Sequence, residues 1–142
     1  MIASLMATVV ASAGLGGQTP PVPAPMNVEI PAVAGATADP TCGGRPGMTS
    51  LATCVSTTQA GAQGLMDAYD VAFASQGWLA ANGTDNRVIY VKRKPEGGCD
   101  AFQVLAFAAE NAVAAPEAPA YIAFAAIPGD ICVAQAPAVP AQ

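Results

Sequence analysis

Four cysteines, Cys42, Cys54, Cys99 and Cys132, are the residues of this 142-residue chain whose chemistry is most legible. Four thiols allow three disulfide connectivities, a four-thiolate zinc site, or four reduced side chains. Zinc ligands come in closely spaced pairs, and here no CxxC occurs and the gaps are long and unequal. Reduced, buried cysteines would suit a cytosolic protein. The disulfide reading is preferred, because the strand pattern below places Cys99 opposite Cys132. Cys42 and Cys54 are then left to close a small loop. Each bridge contributes about 2–4 kcal/mol, which matters in a small domain.

The rest of the chemical vocabulary is thin. Histidine is absent, which removes Ser-His-Asp and Cys-His catalysis, histidine-ligated metals and histidine-based pH switching. Asp67 and Asp70 fall on the solvated side of a helix, and nothing in the spacing forces a carboxylate pair to flank a cleft. No nucleophile motif surrounds the Ser, Thr or Lys residues. The glycine-rich pieces Gly14–Gly17 and Gly97-Gly98 lack phosphate-loop context. Lys92-Arg93-Lys94 is the one basic cluster; it reads as charge guarding the end of an edge strand. Asn82-Gly83-Thr84 matches a glycosylation triplet that is common by chance. The net charge of −5, from five basic and ten acidic residues, argues against a nucleic-acid binder. No cofactor is expected, and no enzymatic activity.

The element that must organise the chain is Ser56–Trp78. At 100° per residue, Ala62, Leu65, Met66, Tyr69, Ala72 and Phe73 form one stripe. Ser56 and Gln59 have capping-box spacing. Gly77 and Trp78 read as a Schellman stop, with Trp78 packing back on Phe73. Gly61 and Gly64 each cost roughly 1 kcal/mol against alanine, so the helix needs a surface to lie on.

Three strand-like segments follow: Arg87–Lys94, Asp100–Ala109 and Ala120–Ile127. Leu79–Asn86 reads as a run of turn formers, and Asn111–Pro119 as a loop. A hairpin centred near Ala115–Pro116 sets Phe107 opposite Phe124, Ala109 opposite Ile122 and Val104 opposite Ile127. A turn at Pro95–Gly98 sets Val88 opposite Leu105 and Val91 opposite Phe102. One face then carries Val88, Tyr90, Leu105, Phe107, Ile122 and Phe124, and the helix is expected to cover it. The other carries Ile89, Val91, Phe102, Val104 and Ile127. Its cover is the segment around Met48–Val55, a second subunit, or a binding partner, and it is the candidate interaction face.

Ahead of this domain, residues 1–13 are apolar and end in Ala11-Ser12-Ala13, a small-x-small pattern read as a secretory signal, although no Lys or Arg precedes them. The apolar run reaches only about Gly17, short of the ~20 residues that span a bilayer. Residues 14–47, rich in Pro, Ala and Gly, read as a disordered linker, and 135–142 as a frayed tail. The expectation is therefore an α+β fold over residues 48–134, one amphipathic helix on a three-stranded antiparallel meander. Its expected location is periplasmic or extracellular. Its expected role is a binding module for a protein partner or for its own copy. The alternative is an inhibitor or accessory factor of a secreted enzyme, acting through an exposed loop.

Overall fold

The computed structural model describes residues 27–84, 86–130 and 132. The expected leader (1–13) and tail (135–142) lie outside the described residues, as does the first part of the expected linker. The fold is α+β, with one α-helix among the described residues and a six-stranded antiparallel sheet rather than a three-stranded one. In chain order the elements are β1 (Thr37–Ala38), β2 (Thr53–Thr58), α1 (Gln59–Ser75), β3 (Leu79–Thr84), β4 (Arg87–Arg93), β5 (Cys99–Ala108) and β6 (Pro119–Ile127). Two 3₁₀ turns, Cys42–Gly44 and Met48–Ser50, lie between β1 and β2. The strand order is β1-β2-β6-β5-β4-β3.

The expected linker is folded from residue 27 onward. Val28, Ile30, Val33 and Ala36 pack against the main core, and Thr37 and Ala38 pair with Ser56 and Val55 of β2. Proline forbids a long helix here, but it does not forbid an extended strap with apolar residues directed at a core.

Two further corrections concern helix boundaries. Ser56 and Thr57 belong to β2, and the N-cap is Thr58, whose hydroxyl accepts from the Gly61 amide at 3.0 Å. The segment TCVSTT is dominated by β-branched residues, which favour a strand. Leu79–Thr84, expected as turn, is edge strand β3 with a bulge between Ala80 and Asn82. The bulge accommodates the turn-forming Asn82-Gly83 pair inside a strand.

The C-terminal stop of α1 has Schellman geometry. The Trp78 amide donates to Phe73 O and the Gly77 amide to Ala74 O, with Gly77 at φ 93°. Lys92 Nζ donates to the Gln76 carbonyl at 2.8 Å, placing a cation at the negative end of the helix dipole. Lys92 therefore terminates a helix, and β4 is an interior strand, not the guarded edge.

The stripe of α1 buries Leu65, Tyr69 and Phe73. Phe73 sits at the hub of the core, edge-on to Tyr90 (5.2 Å), Phe102 (4.9 Å) and Phe124 (6.1 Å) between ring centroids. Trp78 packs edge-on against Phe102 at 4.8 Å. Edge-to-face pairs of this kind add about 0.5–1.5 kcal/mol each beyond their area burial. The Tyr90 hydroxyl reaches the rim of this core and donates to Asp70 at 2.7 Å.

Strands β4 and β6 turn the expected residues toward the helix, but β5 is reversed. Val104 lies opposite Phe124 rather than Ile127, and Val88 opposite Val104 rather than Leu105. The β4–β5 register is off by one residue and the β5–β6 register by three. Both slips are odd, and an odd slip exchanges the faces of a strand. The helix-covered face therefore carries Val88, Tyr90, Phe102, Val104, Ala106, Ile122 and Phe124, while Leu105 and Phe107 lie on the other.

Burial, and then its bond to Asp70, raises the Tyr90 pKa well above its ordinary value of 10.0. A group whose pKa is raised by folding contributes stability below its unfolded pKa and loses it as pH rises toward the folded value. Thermal stability is expected to fall as pH is raised past 10.0. The fall should be shallower in Tyr90→Phe than in the native chain, as followed by melting temperature against pH. Equal slopes in the two proteins would show that Tyr90 does not contribute to it.

Candidate functional site

The sheet face away from α1 is where the sequence places a docking surface, and its covering is uneven. Alternation along the paired strands sets Cys54, Ala123, Leu105 and Arg87 in one row across this face. Ala125, Gln103 and Ile89 form the next row, and Ile127, Ala101 and Val91 the one after.

One end is covered by the segment between β1 and β2. Cys42, Ala52, Cys54 and Ala123 form a second buried cluster, with Met48, Phe107 and Ala125 packed against it. The Cys42–Cys54 bridge fastens this lobe to β2. Arg45 extends over Phe107, its guanidinium carbon 4.6 Å from the ring centroid, and donates to the Ala108 carbonyl at 3.2 Å. A cation over an aromatic face is worth about 0.5–1 kcal/mol at exposed sites and more when desolvated. Asp39 holds the turn that begins the lobe: its carboxylate accepts from the Thr41 hydroxyl and amide and from the Gly43 amide. The Thr41 hydroxyl and then the Gly43 amide lower its pKa below the ordinary 3.8. Of the three expected covers, the chain's own residues supply this one, and they begin earlier than Met48.

The Cys99–Cys132 bridge fastens the opposite end. Asp130 accepts from the Cys99 amide at 2.7 Å, and Gly98 leaves room for that carboxylate: a Cβ there would stand 2.6 Å from it. Beside the bridge, Val91 and Ala101 are buried.

Between the two fastened ends lies a half-buried strip of Ile89, Gln103, Leu105, Ala125 and Ile127. Of the five residues expected on the interaction face, Ile89 and Ile127 are in this strip. Val91 shares the face but is 2% exposed. Phe102 and Val104 are each 1% exposed and belong to the core under the helix. Leu105, expected under the helix, completes the strip; only the length of the two flanking turns fixes its face. Arg87 and Asn82 flank the strip on the side of β3, and with Gly83, Thr84 and Ile89 they line a shallow hollow of about 70 Å³.

The other expected candidates are scattered. Asp67 accepts from Gln63 at 3.0 Å on the helix surface, and Asp70 is occupied by Tyr90. Among the described residues no three Cys, His, Asp or Glu side chains converge as a metal-binding group. No helix among them is long and apolar enough to cross a membrane.

Gly43 is the close contact on which the lobe depends. Its φ is 68°, and a Cβ there would lie 2.9 Å from the Tyr121 ring. Gly43→Ala is expected to destabilise the protein by about 1–3 kcal/mol, from left-handed strain and overpacking together. Urea unfolding checks this, and a change below the error of the measurement would show that the ring yields. No family model, no curated protein and no solved structure matches this chain.

Proposed function

We propose that this protein is an exported, non-enzymatic binding module that docks a protein partner on the half-buried strip Ile89–Gln103–Leu105–Ile127. The observation that carries the proposal is the incomplete cover. The described residues fasten both ends of this face with disulfides and leave its aliphatic middle only half-buried. A largely aliphatic strip flanked by Arg87 and Asn82 has the composition of a protein interface, apolar at the core and polar at the rim. Two disulfides suit an oxidising compartment and support export.

The test is affinity capture from the secreted and envelope fractions, with the native chain and Leu105→Glu side by side. Leu105 is half-buried, so a carboxylate there remains solvated and the near-ultraviolet circular dichroism is expected to be unchanged. A protein retained by the native chain and lost with Leu105→Glu is the expected outcome. Self-association of the native chain in sedimentation, abolished by the same substitution, would identify the partner as a second copy. Equal capture by both proteins would remove the strip from the function.

The loop reading has one observation in its favour. Val113 is 78% exposed, on a loop that α1 holds by the backbone: Gln59 Nε2 donates to Val113 O, and the Ala115 amide donates to Gln59 Oε1, both at 3.1 Å. A rigidly presented apolar residue suits an inhibitor that inserts a loop. Val113→Asp is expected to leave stability within about 0.5 kcal/mol, as for other surface changes. If the loop is the inhibitory element, the variant also loses partner capture that Leu105→Glu retains.

A further inference from the structure

On the other side of the sheet, a strap, a helix and a strand enclose a second site. Residues 27–36 are pinned at both ends. At the first pin, the Glu29 amide donates to Gln76 Oε1 at 2.9 Å, and Gln76 Nε2 donates to the Glu29 carbonyl at 2.7 Å. At the second, Thr37 and Ala38 join the sheet edge. Between the pins the strap turns on itself, with the Ala36 amide donating to Val33 O and Gly35 at φ 92°. Beneath this arch is a cleft of about 320 Å³, lined by Ile30, Val33 and Ala36 of the strap, by Val55 of β2 and by Tyr69 of α1, among others.

Tyr69 distinguishes this cleft from an apolar crease. It is 1% exposed, and its hydroxyl has no hydrogen-bond partner among the described residues, whereas the Tyr90 hydroxyl is satisfied by Asp70. Burial alone raises its pKa, so it stays a protonated donor. The hydroxyl lies at the wall of the cleft with its hydrogen unclaimed, and a molecule bringing an acceptor to it gains one neutral hydrogen bond. No residue lining the cleft is charged, which disfavours an ionic guest. The volume is at the lower end of the roughly 300–1,000 Å³ of small-molecule sites.

We infer that this cleft binds a small, uncharged, mainly hydrocarbon molecule through a single acceptor oxygen, held by the Tyr69 hydroxyl and roofed by the 30–36 arch. The cleft is on the helix side of the sheet and the docking strip on the other, so the two proposals stand or fall separately.

The test is a titration of the oxidised full chain with 2-heptanone, followed by amide and methyl NMR shifts. Saturable shifts confined to Ile30, Val33, Val55 and their neighbours are expected, with hexanoate producing none. Tyr69→Phe is expected to weaken 2-heptanone binding about three- to tenfold, the loss of one neutral hydrogen bond. Ala32 lines the cleft yet is exposed, so Ala32→Trp can fill the opening without disturbing the core, and it is expected to abolish the shifts. Three outcomes would overturn the inference: no saturable shifts at the cleft, hexanoate bound as well as 2-heptanone, or undiminished binding in both variants. Leu105→Glu is expected to leave 2-heptanone binding intact.

Discussion

A sheet that is apolar on both faces requires two covers, and the described chain supplies only one α-helix. That shortage shapes most of the structure. The helix is spent on the face holding Phe102, Val104, Ile122 and Phe124, where an edge-to-face aromatic cluster is centred on Phe73. The reverse face receives irregular backbone, and irregular backbone packs weakly unless it is tied. The Cys42–Cys54 bridge supplies the tie where the lobe crosses Tyr121 and Phe107, and Cys99–Cys132 supplies it at the other end. What neither tie reaches is the strip through Leu105.

The helix also organises the segments that lack secondary structure of their own. Two glutamines, at its first position and its C-cap, each use a primary amide as a substitute peptide group. Gln59 engages Val113 and Ala115; Gln76 engages both backbone groups of Glu29. The first helical amides add to this, because the Gln59 and Ala60 N–H groups donate to the carbonyls of Ala118 and Pro116. Donors that a helix normally leaves without partners thus hold down a neighbouring loop.

Much of this was legible in residue order. The apolar stripe from Leu65 to Phe73, the glycine stop at Gly77, the strands β4 to β6 and the cysteine spacing all carry local patterns that survive tertiary context. Three things did not. The end of β2 reads as the helix start, because Ser56 and Gln59 imitate a capping box while Thr53–Thr58 is a β-branched run. The strap reads as linker, because prolines dominate a segment in which Val28, Ile30 and Val33 are the informative residues. The face of β5 was inverted, because DAFQVLAFAA is apolar on both sides and its alternation says nothing about direction. Its register depends on the turn centres, and a five-residue turn from Lys94 to Gly98 reverses the face that a four-residue turn would set. The Cys99–Cys132 pairing did not require that register to be right. The chain bends at Gly129 beyond β6 and brings Cys132 back to within 5.0 Å of Cys99, Cα to Cα.

The order of strands has a consequence for how the molecule is made. β2 is hydrogen-bonded to β6, and β6 lies near the C-terminal end of the described chain. The helix follows β2 directly, so its aromatic side has no complete sheet to rest on until residues 119–127 are present. Long-range closure of this kind slows assembly relative to local pairing. The Cys42–Cys54 loop closes locally, whereas the sheet and the helix that lies on it wait for β6, the last strand of the described residues.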